Sequence, residues 1–198
     1  THSNHTDFWC RLLLLKSAAA PTPLYTTIIS CFASQPDHRS LQVIIEKAPR
    51  ESVMAADHCK LTAAAVSVLT ADQHQHTQRF LEFMASAISA DACLAALLPL
   101  PFDESTMAAC QTALSMAVVF KAHVWLTALT RLYEKGVVGV LAMRSALLAL
   151  TLHKQHLAQP YLALLTKHHE KFSASKELFP LLLKQIRVTL PHSLHLFT

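Results

Sequence analysis

Glycine occurs twice in the 198 residues, at Gly136 and Gly139, and asparagine once, at Asn4. This scarcity limits the fold more than any other feature of the chain. The phosphate turn of an α/β nucleotide-binding enzyme needs glycines where backbone meets phosphate and where helix approaches strand. A β-sandwich or barrel needs turn residues at every hairpin, and no Asn-Gly pair exists here. An all-α fold remains. A chain of this length that is 52% hydrophobic can bury one sizeable core.

Helical periodicity runs through almost the whole chain. Six aspartates, Asp7, Asp37, Asp57, Asp72, Asp91 and Asp103, each stand at or just before the start of an apolar-periodic segment. A short acceptor there satisfies orphan N–H groups and faces the positive end of the helix dipole. Pro21, Pro36, Pro49, Pro99, Gly136 and Pro191 supply the stops. The predicted helices are 7–19, 23–34, 38–48, 57–70, 75–88, 92–98, 105–119, 122–135, 138–152, 158–171 and 175–188, eleven in all. Connections this short favour antiparallel neighbours. The strongest strand candidate, Val137 to Val140, continues into a helical pattern.

The helices pair, and the pairs recur. Tyr25, Trp125 and Tyr161 each open a helical segment, with Ile28 and Ile29, Ala128 and Leu129, and Leu164 and Leu165 one turn on. A bulkier residue follows at Phe32, Leu132 and His168, and Thr62, Ala65, Val66 and Leu69 form a fainter copy. Second helices match through Leu41/Ile44/Ile45, Phe80/Phe83/Met84 and Leu178/Leu181/Leu182. The starts at 25, 62, 125 and 161 set a period near 35, the longer gap holding one degenerate pair. The expected architecture is a right-handed α-solenoid of about five antiparallel helix pairs. It comprises an N-terminal helix at 1–21, a helical-repeat domain at 22–190 and a tail at 191–198. An irregular helical bundle is the competing arrangement.

This two-helix unit resembles the pentatricopeptide repeat, within the tetratricopeptide-like α-helical repeat class. The resemblance covers about 22–188 and is one of period and pattern. The family's Y-N-x-L-I-x-x-Y first helix corresponds to Tyr25-Thr26-Thr27-Ile28-Ile29-Ser30-Cys31-Phe32. The Pro-Asp repeat ending is absent, and the inter-helix glycine occurs once, at Gly136. Octotricopeptide and HEAT-like repeats fit as well. In pentatricopeptide proteins the residue after the first aromatic reads a base. Carried over, those positions are Thr26, Ala63, Leu126 and Leu162, and Thr26 alone has a hydrogen-bonding side chain. Aliphatic side chains cannot tell base edges apart, so sequence-specific RNA reading is not expected.

Charge is uneven. Residues 1–99 carry 7 Lys and Arg against 8 Asp and Glu, whereas residues 100–198 carry 10 against 5. Lys167, Lys171, Lys176, Lys184 and Arg187 are the candidates for non-specific contact with an RNA backbone. The alternative for them is a solvated helix face. The five cysteines, at 10, 31, 59, 93 and 110, form no CxxC pair and are odd in number. They read as thiols in a reducing intracellular compartment. The longest uncharged run, 17–36, contains three prolines, and the next, 105–120, has 16 residues. Neither fits a transmembrane helix. The chain begins at Thr1 without methionine, as expected of a processed or partial sequence.

No catalytic motif stands out. Asp103-Glu104 is a helix start, and Cys59 and Cys110 lack a nucleophile signature. The histidine pairs His74/His76, His153/His156 and His192/His195 offer two ligands each, where a metal needs three or four. No enzyme activity, cofactor or metal is expected. Both chain ends are apolar, with Phe8, Trp9 and Leu12 at one and Leu196 and Phe197 at the other, and these are the candidate partner-binding residues. The expected function is a non-enzymatic helical-repeat scaffold or adaptor. The expected setting is an accessory subunit of a mitochondrial ribonucleoprotein or membrane complex. The alternatives are a general RNA-binding repeat protein of an organelle and a helical interaction domain of a secreted bacterial effector.

Overall fold

The computed structural model describes residues 22–69 and 73–189. Helix accounts for 78% of these, and no strand occurs among them. The helices are α1 (Thr22–Ser34), α2 (His38–Lys47), α3 (Arg50–Met54), α4 (His58–Val68), α5 (His74–Ala87) and α6 (Ala90–Leu97). They continue as α7 (Glu104–Ser115), α8 (Ala122–Glu134), α9 (Val140–Leu152), α10 (Lys154–Ser173) and α11 (Phe179–Val188). The predicted helix at 7–19 and the tail at 191–198 lie outside the described residues.

The short acceptors act as the sequence suggests. Asp37, Asp57 and Asp103 cap α2, α4 and α7 by accepting from the N–H groups of Ser40, Lys60 and Thr106. Thr106 returns its hydroxyl to the Asp103 N–H at 3.0 Å, completing a capping box. At α6 the cap is Ser89, and Asp91 sits inside the first turn. Gly136 ends α8 with φ +74°. Its N–H reaches the Tyr133 carbonyl and the Val137 N–H the Leu132 carbonyl, a Schellman closure. A Cβ there would meet nothing nearer than Lys171 Nζ at 3.9 Å, so the backbone angle, not space, calls for glycine.

Several boundaries differ from the prediction, and α7 ends at Ser115 rather than 119. Pro49 ends α2 and also opens the unpredicted α3 as its N-cap. α10 begins at Lys154, four residues early, and carries Pro160 inside it. Buried Leu157 and Ala158 hold that first stretch in place. α11 begins at Phe179 rather than 175, with Pro180 in its first turn, where the missing N–H is no loss.

Packing beyond sequence neighbours falls into two rows. α1 packs on α4, α4 on α6, α6 on α8 and α8 on α10. In the second row α3 packs on α5, α5 on α7, α7 on α9 and α9 on α11. Helices α4, α6, α8 and α10 begin at 58, 90, 122 and 154, each 32 residues after the last. Position for position, Leu61, Cys93, Trp125 and Leu157 are all 3% exposed or less. Tyr161 falls where α8 has Leu129, one turn beyond Trp125. The aromatic match seen in the sequence therefore joins residues on different turns, because burial follows the helix start and not the ring.

Direction is not uniform along the rows. Asp91, at the start of α6, pairs with Arg131 near the end of α8, so these two run oppositely. Tyr133, near the end of α8, meets His168 and Phe172 in the second half of α10, so these run together. One apolar core joins all eleven helices' neighbours, from Tyr25 and Phe32 through Phe80 and Phe120 to Leu182. Its second half encloses a polar chain. Tyr133 and Tyr161, both buried, share a 2.9 Å hydroxyl contact, and Gln185 Nε2 donates to the Met143 carbonyl at 2.7 Å. Burial raises both phenol pKa values well above the ordinary tyrosine value.

Candidate functional site

The 32-residue interval brings four N-cap positions into line: Asp57, Ser89, Lys121 and His153. The first two cap their helices with a side-chain oxygen. Lys121 and His153 make no such hydrogen bond. In α8 the first helical bond is that of Val124 N–H to the Lys121 carbonyl, at 2.9 Å. In α10 it is that of His156 N–H to the His153 carbonyl, at 3.0 Å. The N–H groups before these bonds, on Ala122, His123, Lys154 and Gln155, point out of the helix starts without a capping side chain.

Because α8 and α10 run together, their starts lie side by side. Between them is a groove of about 420 Å³ lined by Ala117, Lys121, Ala122, His123, Leu126, His153, His156 and Leu157. His153 also ends α9, so α9 and α10 meet at this single residue. Its Nε2 is shielded from solvent and has no hydrogen-bond partner. Two aliphatic side chains in the preceding segments stand in water: Val118, after α7, is 85% exposed and Leu152, the last residue of α9, 63%. Both lie in the segments that lead into these helix starts. The arrangement offers an apolar floor, two helix N-termini and a cationic lysine, a set suited to an anionic group attached to an apolar body.

A second cavity, of about 280 Å³, lies between α2 and α5, with Leu41, Ile45 and Leu69 among its lining residues. Its rim mixes His38, Arg39, His76 and Arg79 with Glu46. His38 and His76 meet edge to face, ring centres 6.1 Å apart.

The basic residues singled out in the sequence do not form one patch. Lys167 pairs with Glu134 at 3.4 Å, and Lys171 donates to the Tyr133 carbonyl at 2.9 Å. Both thus serve the end of α8. Lys184 and Arg187 are exposed on α11, and Lys176 is exposed in the turn before it. Of the base-reading positions, Ala63 is exposed, Leu162 is buried, and Leu126 lines the groove. Phe8, Trp9, Leu12, Leu196 and Phe197 lie outside the described residues. Among the described residues no group of three or more His, Cys, Asp or Glu could hold a metal ion. Cys93 and Cys110 are buried, and burial pushes both thiols up to about 12.

Sequence reasoning missed the groove, although two signals for it are present. Lys121 and His153 stand where the earlier helices have Asp57 and Ser89. Between Glu104 and Glu170 the chain has a single carboxylate, Glu134. No family model, curated protein or solved structure matches the chain.

Proposed function

We propose that the protein is a non-enzymatic scaffold or adaptor, a short α-solenoid of about five stacked helix pairs. In this reading it serves as an accessory subunit of a large organellar assembly, a mitochondrial ribonucleoprotein or membrane complex. The observation that carries the reading is the groove between α8 and α10, with exposed Val118 and Leu152 next in sequence to its lining residues Ala117 and His153. Aliphatic side chains held in water beside a concave apolar surface favour a protein contact. The two-row packing and the recurring 32-residue interval support a stack, an architecture that presents extended surfaces to partners. The organellar setting draws on the pentatricopeptide-like pattern, together with aliphatic residues at three of the four base-reading positions. Among the described residues no helix is long and apolar enough to cross a membrane, so a membrane complex would hold this part of the chain at its periphery.

A second reading, general RNA binding, is favoured by Lys184 and Arg187, exposed one turn apart on the last helix. One experiment separates the two. The tagged full chain is sedimented from a mitochondrial lysate with and without ribonuclease. The scaffold reading expects heavy fractions in both cases. A shift to light fractions after ribonuclease supports RNA binding, and the monomer position in both runs overturns both readings.

A further inference from the structure

We propose that the groove at the starts of α8 and α10 binds an acidic peptide segment of a protein partner. Aspartate or glutamate side chains would sit over the two helix starts, and one aliphatic or aromatic side chain would enter the groove. The proposal rests on the scaffold reading and names the chemistry of the partner.

Three independent features converge on it. First, the surroundings lack negative charge. The groove's lining holds Lys121, His123, His153 and His156 and no carboxylate, and from 105 to 169 the chain has the single carboxylate Glu134. Glu134 lies at the other end of α8 and is paired with Lys167. A protein surface left this short of carboxylates attracts an acidic partner and speeds its approach.

Second, the backbone is prepared for carboxylates. Four first-turn N–H groups, two on each helix, stand before the first helical hydrogen bonds with no side-chain cap. At α2, α4 and α7 Asp37, Asp57 and Asp103 fill that role, while α3, α5, α9 and α11 also start without a side-chain cap. A partner's carboxylate can do here from outside what those aspartates do from within. The positive end of each helix dipole acts in the same sense, and Lys121 and His123 stand beside it.

Third, the floor is aliphatic. Leu126 and Leu157 line the groove, and the exposed Val118 and Leu152 are next in sequence to its lining residues Ala117 and His153. Its volume of about 420 Å³ admits a leucine or phenylalanine side chain. Three imidazoles but no phenyl, phenol or indole ring line it, so it offers a smaller stacking surface than the aromatic platforms on which single-stranded RNA bases rest. That favours a peptide over a nucleic acid. The cavity between α2 and α5 does not share this character, since Glu46 stands among its cations.

The test uses the full chain and a fluorescein-labelled peptide that alternates aspartate and glutamate with leucine and phenylalanine. Its counterpart with asparagine and glutamine is the control, and oligouridine is the competitor. The decisive variant is Lys121→Asp. It supplies α8 with the cap that Asp57 supplies to α4, so the melting temperature should hold or rise. Peptide binding should fall by at least about tenfold, since a positive site becomes negative. Leu126→Glu should weaken binding similarly by closing the floor. The amide peptide should bind at least about tenfold more weakly than the acid.

Equal binding of acid and amide peptides overturns the proposal, as does unchanged binding by Lys121→Asp. Displacement of the peptide by oligouridine at matched charge overturns it in favour of RNA. The scaffold reading is judged separately by sedimentation of the wild type. If the wild type sediments in heavy fractions yet does not bind the acid peptide, the groove proposal alone falls, and if it binds the peptide yet sediments as a monomer, the scaffold reading alone falls.

Discussion

Along the row α4, α6, α8 and α10 the helix starts differ where the cores do not. In the first half α4 and α6 open on Asp57 and on Ser89 with Asp91. In the second half α8 and α10 open on Lys121 and His153, uncapped. One turn inside, the same four helices bury Leu61, Cys93, Trp125 and Leu157 equally. Packing is therefore repeated along the chain while the edge is varied. A cap contributes about 1 kcal/mol to a helix. Giving it up at two neighbouring starts leaves backbone donors and positive dipole ends facing outward, which is of use to a ligand and of none to the fold. The net charge of the halves follows the same division: residues 1–99 carry 7 basic against 8 acidic side chains, residues 100–198 carry 10 against 5.

The largest expected effect tests whether the cores are in fact alike. Trp125→Ala should cost about 3–5 kcal/mol and Leu61→Ala about 2–5, because each empties a fully buried site at the same register position. Both should lower the thermal midpoint by several degrees, read by circular dichroism at 222 nm. A shift below about 2 °C for Trp125→Ala would break the comparison, since a side chain with no exposed surface cannot be removed from a shared core so cheaply.

A smaller effect sharpens the contrast at the edge. Asp103→Ala removes a capping box and should cost about 1–2 kcal/mol. Lys121→Ala removes no cap and should stay within about 0.5 kcal/mol. The two variants, melted side by side, should separate by about 1 kcal/mol. Equal losses would mean that Lys121 supports α8 through a contact of its own, and the two halves would then differ in residue type without differing in function.

How far the sequence reveals this depends on the range of the interaction. Helix starts follow from local chemistry, and Asp37, Asp57 and Asp103 could be recognised from their positions alone. Gly136 likewise marks its helix end by a local demand on φ. The repeat was harder to place. Tyr25, Trp125 and Tyr161 attract attention as rings, yet Tyr161 lies one turn beyond the place of Trp125, because α10 begins before Pro160 rather than at it. Proline inside a helix is disfavoured by local rules, and the burial of Leu157 and Ala158 that overrides them is tertiary. The direction reversal between α6 and α8 rests on the Asp91–Arg131 pair, which no spacing announces. The groove lay hidden for a related reason. Its residues come from two segments about thirty positions apart, and its signal is the loss of a cap rather than the presence of a motif.

The smallest expected effect concerns what cationic surroundings do to the core of the second half. His168 is buried on α10 beside Tyr133. Desolvation holds its pKa below the ordinary imidazole value, Lys171 and Lys167 push in the same direction, and Glu134 opposes them. The unfolded chain takes up this proton near pH 6.5, whereas the folded chain takes it up at lower pH. Between those two values the unfolded state holds more protons, so stability must fall as pH drops through the window, and it is unaffected well above it. The thermal midpoint of the wild type should accordingly fall more steeply below pH 6.5 than that of His168→Gln, while the two differ by a constant amount at pH 8. The difference between the variants isolates this group from the other twelve histidines. Parallel curves across the whole range would mean that His168 titrates alike in both states. The positive charge of the second half would then act on its surface alone, without reaching the core beneath Tyr133.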